Sequence, residues 1–110
     1  MVNIEDKEGI TILSTEEKLD AVVATKFKDT VKKLAEAGKL KIVIDMGETR
    51  FIDSAGCGAL VASLRVLLKN KGDMKIARPS PQVRTLFELT RLHRVFEIFD
   101  EFDAAIKSFS

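Results

Sequence analysis

Between positions 21 and 37 the apolar residues Val23, Phe27, Val31 and Leu34 recur at spacings of three and four, and Lys26, Lys28, Lys32, Lys33 and Glu36 fill the other face. That period predicts an amphipathic helix, with Asp20 as its N-cap and Gly38 where it stops. A second helical period starts near Ser54 and runs through Leu60, Val61, Leu64, Leu67 and Leu68, with Lys69, Lys71 and Gly72 as C-terminal signals. Ser80-Pro81 has the form of an N-cap followed by an N1 proline and opens a third helix with Val83, Leu86 and Phe87 on one side. Asp100 is placed to cap a fourth, whose apolar positions are Phe102, Ala105, Ile106 and Phe109. Strand patterns lie between them. Residues 2–4 and 10–13 flank a Lys7-Glu8-Gly9 turn, residues 40–45 carry the β-branched run Ile42-Val43-Ile44 suited to burial on both faces, and residues 74–77 and 95–99 follow. The order β-β-α-β-α-β-α-β-α predicts an α/β fold, a small mixed sheet of four to five strands with about four covering helices.

Composition narrows what such a fold does. The 110 residues form one domain's worth of chain, and with no visible linker or internal repeat the expected unit is a single domain over 1–110. Eighteen Lys and Arg against 17 Asp and Glu give a net charge of +1, which argues against nucleic-acid binding by bulk electrostatics. Arg78, Arg84, Arg91 and Arg94 make one region basic, but without interleaved aromatic residues they read as a solvated helix face. One Cys and one His exclude an internal disulfide and a four-ligand Cys/His zinc site. No apolar run approaches the ~18 residues that span a membrane, and the opening Met1-Val2-Asn3-Ile4-Glu5-Asp6 is no secretory signal, so a cytoplasmic protein without bound metal or cofactor is expected.

The most informative stretch is Arg50-Phe51-Ile52-Asp53-Ser54-Ala55-Gly56-Cys57-Gly58-Ala59-Leu60, which runs from a loop into the second helix. Its two glycines each cost about 1 kcal/mol of helix propensity relative to alanine. Either tight helix–sheet packing or a partner's approach to the backbone offsets that cost. Ser54 lies where orphan amides and the helix dipole favour negative charge, and Ser54 or Asp53 also suits plain capping. The glycine spacing does not match a dinucleotide fingerprint. A serine hydrolase lacks its Gly-x-Ser-x-Gly, and His93 is the only imidazole. Cys57 reads as a small core hydrophobe and His93 as a surface or capping residue. Any of Phe87, Phe96, Phe99, Phe102 and Phe109 left exposed would mark an interaction patch. Asp45, ending a buried strand, and the pair Glu5-Asp6 leave a phospho-aspartate receiver as an alternative, although residues 7–13 read as turn and strand where a receiver has a helix.

The ordered segments Leu19-Asp20, Lys41-Ile42-Val43-Ile44-Asp45, Phe51-Ile52-Asp53-Ser54-Ala55-Gly56-Cys57-Gly58, Gly72-Asp73-Met74-Lys75-Ile76, Ser80-Pro81-Gln82-Val83-Arg84-Thr85-Leu86-Phe87 and Phe96-Glu97-Ile98-Phe99-Asp100 resemble the STAS-domain anti-sigma factor antagonists of bacterial partner switching. The resemblance implies that the serine of Asp-Ser-x-Gly-x-Gly, here Ser54, is phosphorylated by an anti-sigma factor that is itself an ATP-using serine kinase. It also implies that the unphosphorylated form binds that kinase and frees the sigma factor, and that a PP2C-type phosphatase resets the switch. The partner-binding set would be Asp20, Asp53, Ser54, Ala55, Gly56 and Gly58, with no catalytic residue. Another STAS role, as a scaffold or a ligand-sensing module, is the alternative. The chain departs from the family pattern at Glu17-Lys18, where a glycine is usual before the Leu-Asp pair. It departs again at Ala55, where a second serine is common, and at Arg91, where related chains often carry glycine.

Overall fold

The computed structural model describes residues 3–110. Five strands, β1 (Asn3–Lys7), β2 (Ile10–Ser14), β4 (Lys41–Asp45), β6 (Asp73–Ala77) and β7 (Ile98–Phe99), form one sheet in the order β1-β2-β4-β6-β7. Only the β1–β2 pair is antiparallel; β2, β4, β6 and β7 run parallel. Two further strands, β3 (Lys18–Leu19) and β5 (Phe51–Ile52), pair with each other in a separate small sheet. The helices are α1 (Ala21–Glu36), α2 (Ser54–Lys69), α3 (Pro81–Leu89) and α4 (Phe102–Lys107). Among the described residues no helix is long and apolar enough to cross a membrane.

The strand period of two divides the core. Ile42 and Ile44 join Leu13, Met74 and Ile76 in the larger cluster, with Phe27 and Val31 of α1, Leu60, Leu64 and Leu67 of α2, and Val83 and Phe87 of α3. Val43, between them in sequence, points to the opposite face and packs with Ile10, Ile12, Ala77 and the α4 residues Ala105 and Ile106. The central strand is therefore covered on both sides, as its β-branched run predicts. Each large apolar side chain fully buried here contributes about 1.5–3 kcal/mol. Lys75 lies on the α4 side and is almost fully buried. Its ammonium donates to the Ser108 carbonyl at 3.1 Å and the Ser108 hydroxyl at 2.9 Å, and lies 4.4 Å from the Phe109 ring centroid. A buried cation so paired staples α4 to the sheet.

Several expected boundaries move. The expected strand at 2–4 is seen over Asn3–Lys7, with position 2 outside the described residues; Lys7 pairs with Ile10, which leaves Glu8-Gly9 as the turn. The expected strand at 95–99 is confined to Ile98–Phe99, preceded by a 3-10 turn at Leu92–Arg94. Asp100 does not cap α4. Glu101 occupies that position without a side-chain bond, because the Asp100 carboxylate is drawn to Arg84 of α3. Leu68, placed in the buried stripe of α2, is half exposed at the helix end. Arg91 adopts φ 62°, the left-handed conformation for which glycine is best suited, so the glycine that the resemblance leads one to expect there would fit without strain. No positive φ occurs at Glu17 or Lys18, so the other missing glycine is not needed there.

Candidate functional site

The N-termini of α1 and α2 meet on one side of the molecule, and the small β3–β5 sheet brings them there. Lys18 pairs with Phe51 and Leu19 with Ile52, so the residues entering the two helices run side by side. The Glu17 carbonyl accepts from the N–H groups of Arg50 (2.8 Å) and Phe51 (3.1 Å), and the Leu19 carbonyl accepts from Asp53 N–H at 3.3 Å. Further back, buried Thr49 donates from its hydroxyl to the Glu16 carbonyl at 2.7 Å and lies 2.5 Å from the Thr15 hydroxyl. The Thr49 carbonyl accepts from Ser80 Oγ at 3.1 Å. One threonine thus ties the end of β2, the loop before β5 and the start of α3.

Both predicted caps form. Asp20 accepts from Val22 N–H at 3.1 Å and Asp53 Oδ1 from Gly56 N–H at 2.8 Å, so Asp53 and not Ser54 caps α2. The second Asp53 oxygen reaches across to α1 and accepts from Ala21 N–H at 3.0 Å. Ser54 is the first residue of α2 and is exposed, and among the described residues none engages its hydroxyl. Free of capping duty, that hydroxyl points a nucleophile-sized group to solvent at the positive end of a helix dipole.

The two glycines separate. A Cβ on Gly56 would lie 2.0 Å from the Leu19 carbonyl oxygen, so Gly56 lets α2 press against the β3 backbone. A Cβ on Gly58 would meet nothing within 4 Å, and Gly58 is exposed one turn beyond Ser54. Close packing explains the first and has no bearing on the second. Ala55 is half-buried against the core. Two exposed apolar side chains, Phe51 (50% exposed) and Val22 (87%), flank this region, and the sequence pattern assigns neither an outward role. Their signal is visible only after folding: an aromatic and a β-branched residue turned outward beside cap residues.

The other candidates resolve. Burial, and secondarily the Asp53 charge, pushes the Cys57 thiol up, the reverse of what a reactive cysteine needs. His93 Nδ1 lies 3.2 Å from the Phe87 carbonyl, at the end of α3. Asp45 is unsuited to a receiver's phosphoacceptor role: both its oxygens are held by Arg78 at 2.9 Å, and Oδ1 also accepts from Gly47 N–H at 3.1 Å. Among the described residues no group of three His, Cys, Asp or Glu is placed to hold a metal ion. Arg78 and Arg84 are engaged by Asp45 and Asp100, which halves the expected basic face. Phe87 and Phe96 are buried, and Phe99, Phe102 and Phe109 are half-buried around α4, so the late phenylalanines build core instead of a patch.

Comparison with known proteins adds the family. An anti-sigma-B factor antagonist of Listeria monocytogenes is 28% identical over 81 residues, covering 74% of this chain and 71% of its own. The crystal structure of a Thermotoga maritima protein superposes with TM-score 0.89 at 25% identity, over 97% of this chain and 92% of that one. The Bacillus cell-fate determinant SpoIIAA in its phosphorylated form has TM-score 0.77 at 19% identity over the full length of both chains, a likeness of fold. The STAS-domain family model matches residues 1–105, and the chain belongs to the STAS-domain family.

Proposed function

We propose that this chain is an anti-sigma factor antagonist whose binding is switched off by phosphorylation of Ser54. The observation that carries the reading is an exposed, unengaged serine at the first position of α2, with its capping duty assumed by Asp53. The partner is an ATP-using serine kinase that doubles as an anti-sigma factor. Ser54 Oγ attacks the γ-phosphorus of ATP, the bond to ADP breaks, and the hydroxyl proton leaves to a base on the kinase. The chain is substrate and ligand, and the catalytic groups belong to the partner. A PP2C-type phosphatase returns the free hydroxyl, and the exchange takes place in the cytoplasm, without nucleic acid or membrane.

A phosphate adds about −1.5 to −2 charges at neutral pH. On the free chain it sits at a helix N-terminus, so the fold survives modification. In a docked complex the same group is enclosed with Asp53 and Asp20, and like charges juxtaposed at an interface cost several kcal/mol. A hundredfold loss of affinity needs only about 2.7 kcal/mol. Asp20, Asp53, Ala55 and Gly58 surround the acceptor as contact residues, and Gly56 shapes the turn that presents it.

The test is a pull-down with the unmodified chain and with Ser54→Asp, read by mass spectrometry, paired with ATP-dependent phosphorylation of the wild type and Ser54→Ala. An ATP-binding anti-sigma kinase recovered by the unmodified chain alone, and phosphate incorporation lost in Ser54→Ala, are the expected results. Equal recovery by Ser54→Asp, or normal phosphorylation of Ser54→Ala, overturns the assignment.

A further inference from the structure

The two oxygens of Asp53 serve different helices. Oδ1 accepts from Gly56 N–H at 2.8 Å, partly buried in the first turn of α2. Oδ2 accepts from Ala21 N–H at 3.0 Å, at the first residue of α1 and in an exposed setting. Asp20 does not duplicate this second bond, because its carboxylate turns along its own helix to Val22 N–H. One carboxylate, adjacent in sequence to Ser54, therefore holds two helix N-termini together.

We propose that Asp53 is a brace that carries the charge state of Ser54 to α1. A phosphoryl group on Ser54 displaces the exposed Oδ2 end from Ala21 and leaves the Oδ1 end on Gly56. This rests on Ser54 being the modified residue. The phosphoryl oxygens are drawn to the first-turn N–H groups of Ser54 and Ala55, which have no acceptor within the helix. That position keeps the new charge beside a carboxylate of the same sign. Of the two bonds Asp53 makes, the exposed one yields, because water replaces Oδ2 at Ala21 readily and reaches Gly56 with more difficulty. Release changes the first turn of α1, where Asp20 and the 87% exposed Val22 stand. A single modification then alters a surface built from two helices, and a partner seated across both reads the phosphate and the altered α1 together.

The experiment is amide hydrogen exchange by NMR on the full chain, with phosphate placed on Ser54 by co-translational incorporation of phosphoserine. The same pair of samples is made with Asp53→Asn. An asparagine side chain offers one acceptor oxygen where the carboxylate offers two, so it can keep one of the two N–H partners. Phosphate is expected to speed exchange at Ala21 about tenfold while Gly56 stays protected. Asp53→Asn alone is expected to expose Ala21 to a similar degree, with little further effect of phosphate. An unchanged Ala21 amide in the phosphorylated wild-type chain overturns the brace. So does loss of protection at Gly56 alongside Ala21, or an equal effect of phosphate with and without Asp53. No kinase enters the measurement, so a kinase that ignores Ser54 defeats the proposed function alone, and an unresponsive Ala21 defeats the brace alone.

Discussion

Gly56 and Gly58 are the same residue type two positions apart, and their surroundings assign them opposite consequences. Gly56→Ala forces a methyl into the Leu19 carbonyl and should cost at least about 1–3 kcal/mol in urea unfolding. Gly58→Ala meets nothing and should stabilise α2 by up to about 1 kcal/mol. It should nevertheless weaken kinase binding; unchanged affinity would remove Gly58 from the contact surface. Arg91→Gly relieves a left-handed backbone and should raise stability by about 1 kcal/mol, read as a shift in the urea midpoint at constant slope. Cys57 tests the electrostatics of the same turn. Its raised thiol pKa means the neutral form is favoured in the folded chain, so the stabilising contribution is present below the ordinary thiol value and is lost as pH rises through the raised one. Iodoacetamide should label the native chain more slowly than the unfolded chain at pH 8. Asp53→Asn should speed that labelling by removing the nearby charge. The Asp20 cap and the glycine pair were legible in the sequence. The division between the glycines was not, because it depends on a carbonyl 37 positions away.

Elements were legible in proportion to their length. The 16-residue helices α1 and α2 carry enough turns for a period to show, and Asp20 and Ser80 cap as the sequence reads, while at α2 the structure selects Asp53 over Ser54. The two-residue strands β3 and β5 carry no period, and their pairing across 33 positions has no local signature. They are nonetheless what brings the two helix N-termini together. The short α4 was placed correctly but capped wrongly, since Asp100 had a competing partner in Arg84. Lys75 adds a polar tie to the apolar packing of Ala105 and Ile106. Lys75→Ala should loosen α4 at a cost of about 2 kcal/mol, with limited proteolysis cutting near the C-terminus first. Cleavage at the wild-type rate would show that packing of Ala105 and Ile106 holds the helix without the staple.

At the scale of the molecule, the balance of 18 basic and 17 acidic residues conceals an uneven arrangement. Acids crowd positions 5–20 and bases positions 65–94, and a phosphate on Ser54 carries the net charge of +1 to about −1. In the proposed function, the joined starts of α1 and α2 form the surface where one added group meets the carboxylates of Asp20 and Asp53. Isothermal titration of an anti-sigma factor serine kinase with the unmodified chain and with the Ser54-phosphorylated chain tests the central claim most directly. The account predicts that phosphate weakens binding by about a hundredfold or more. Equal affinities for the two forms would contradict it.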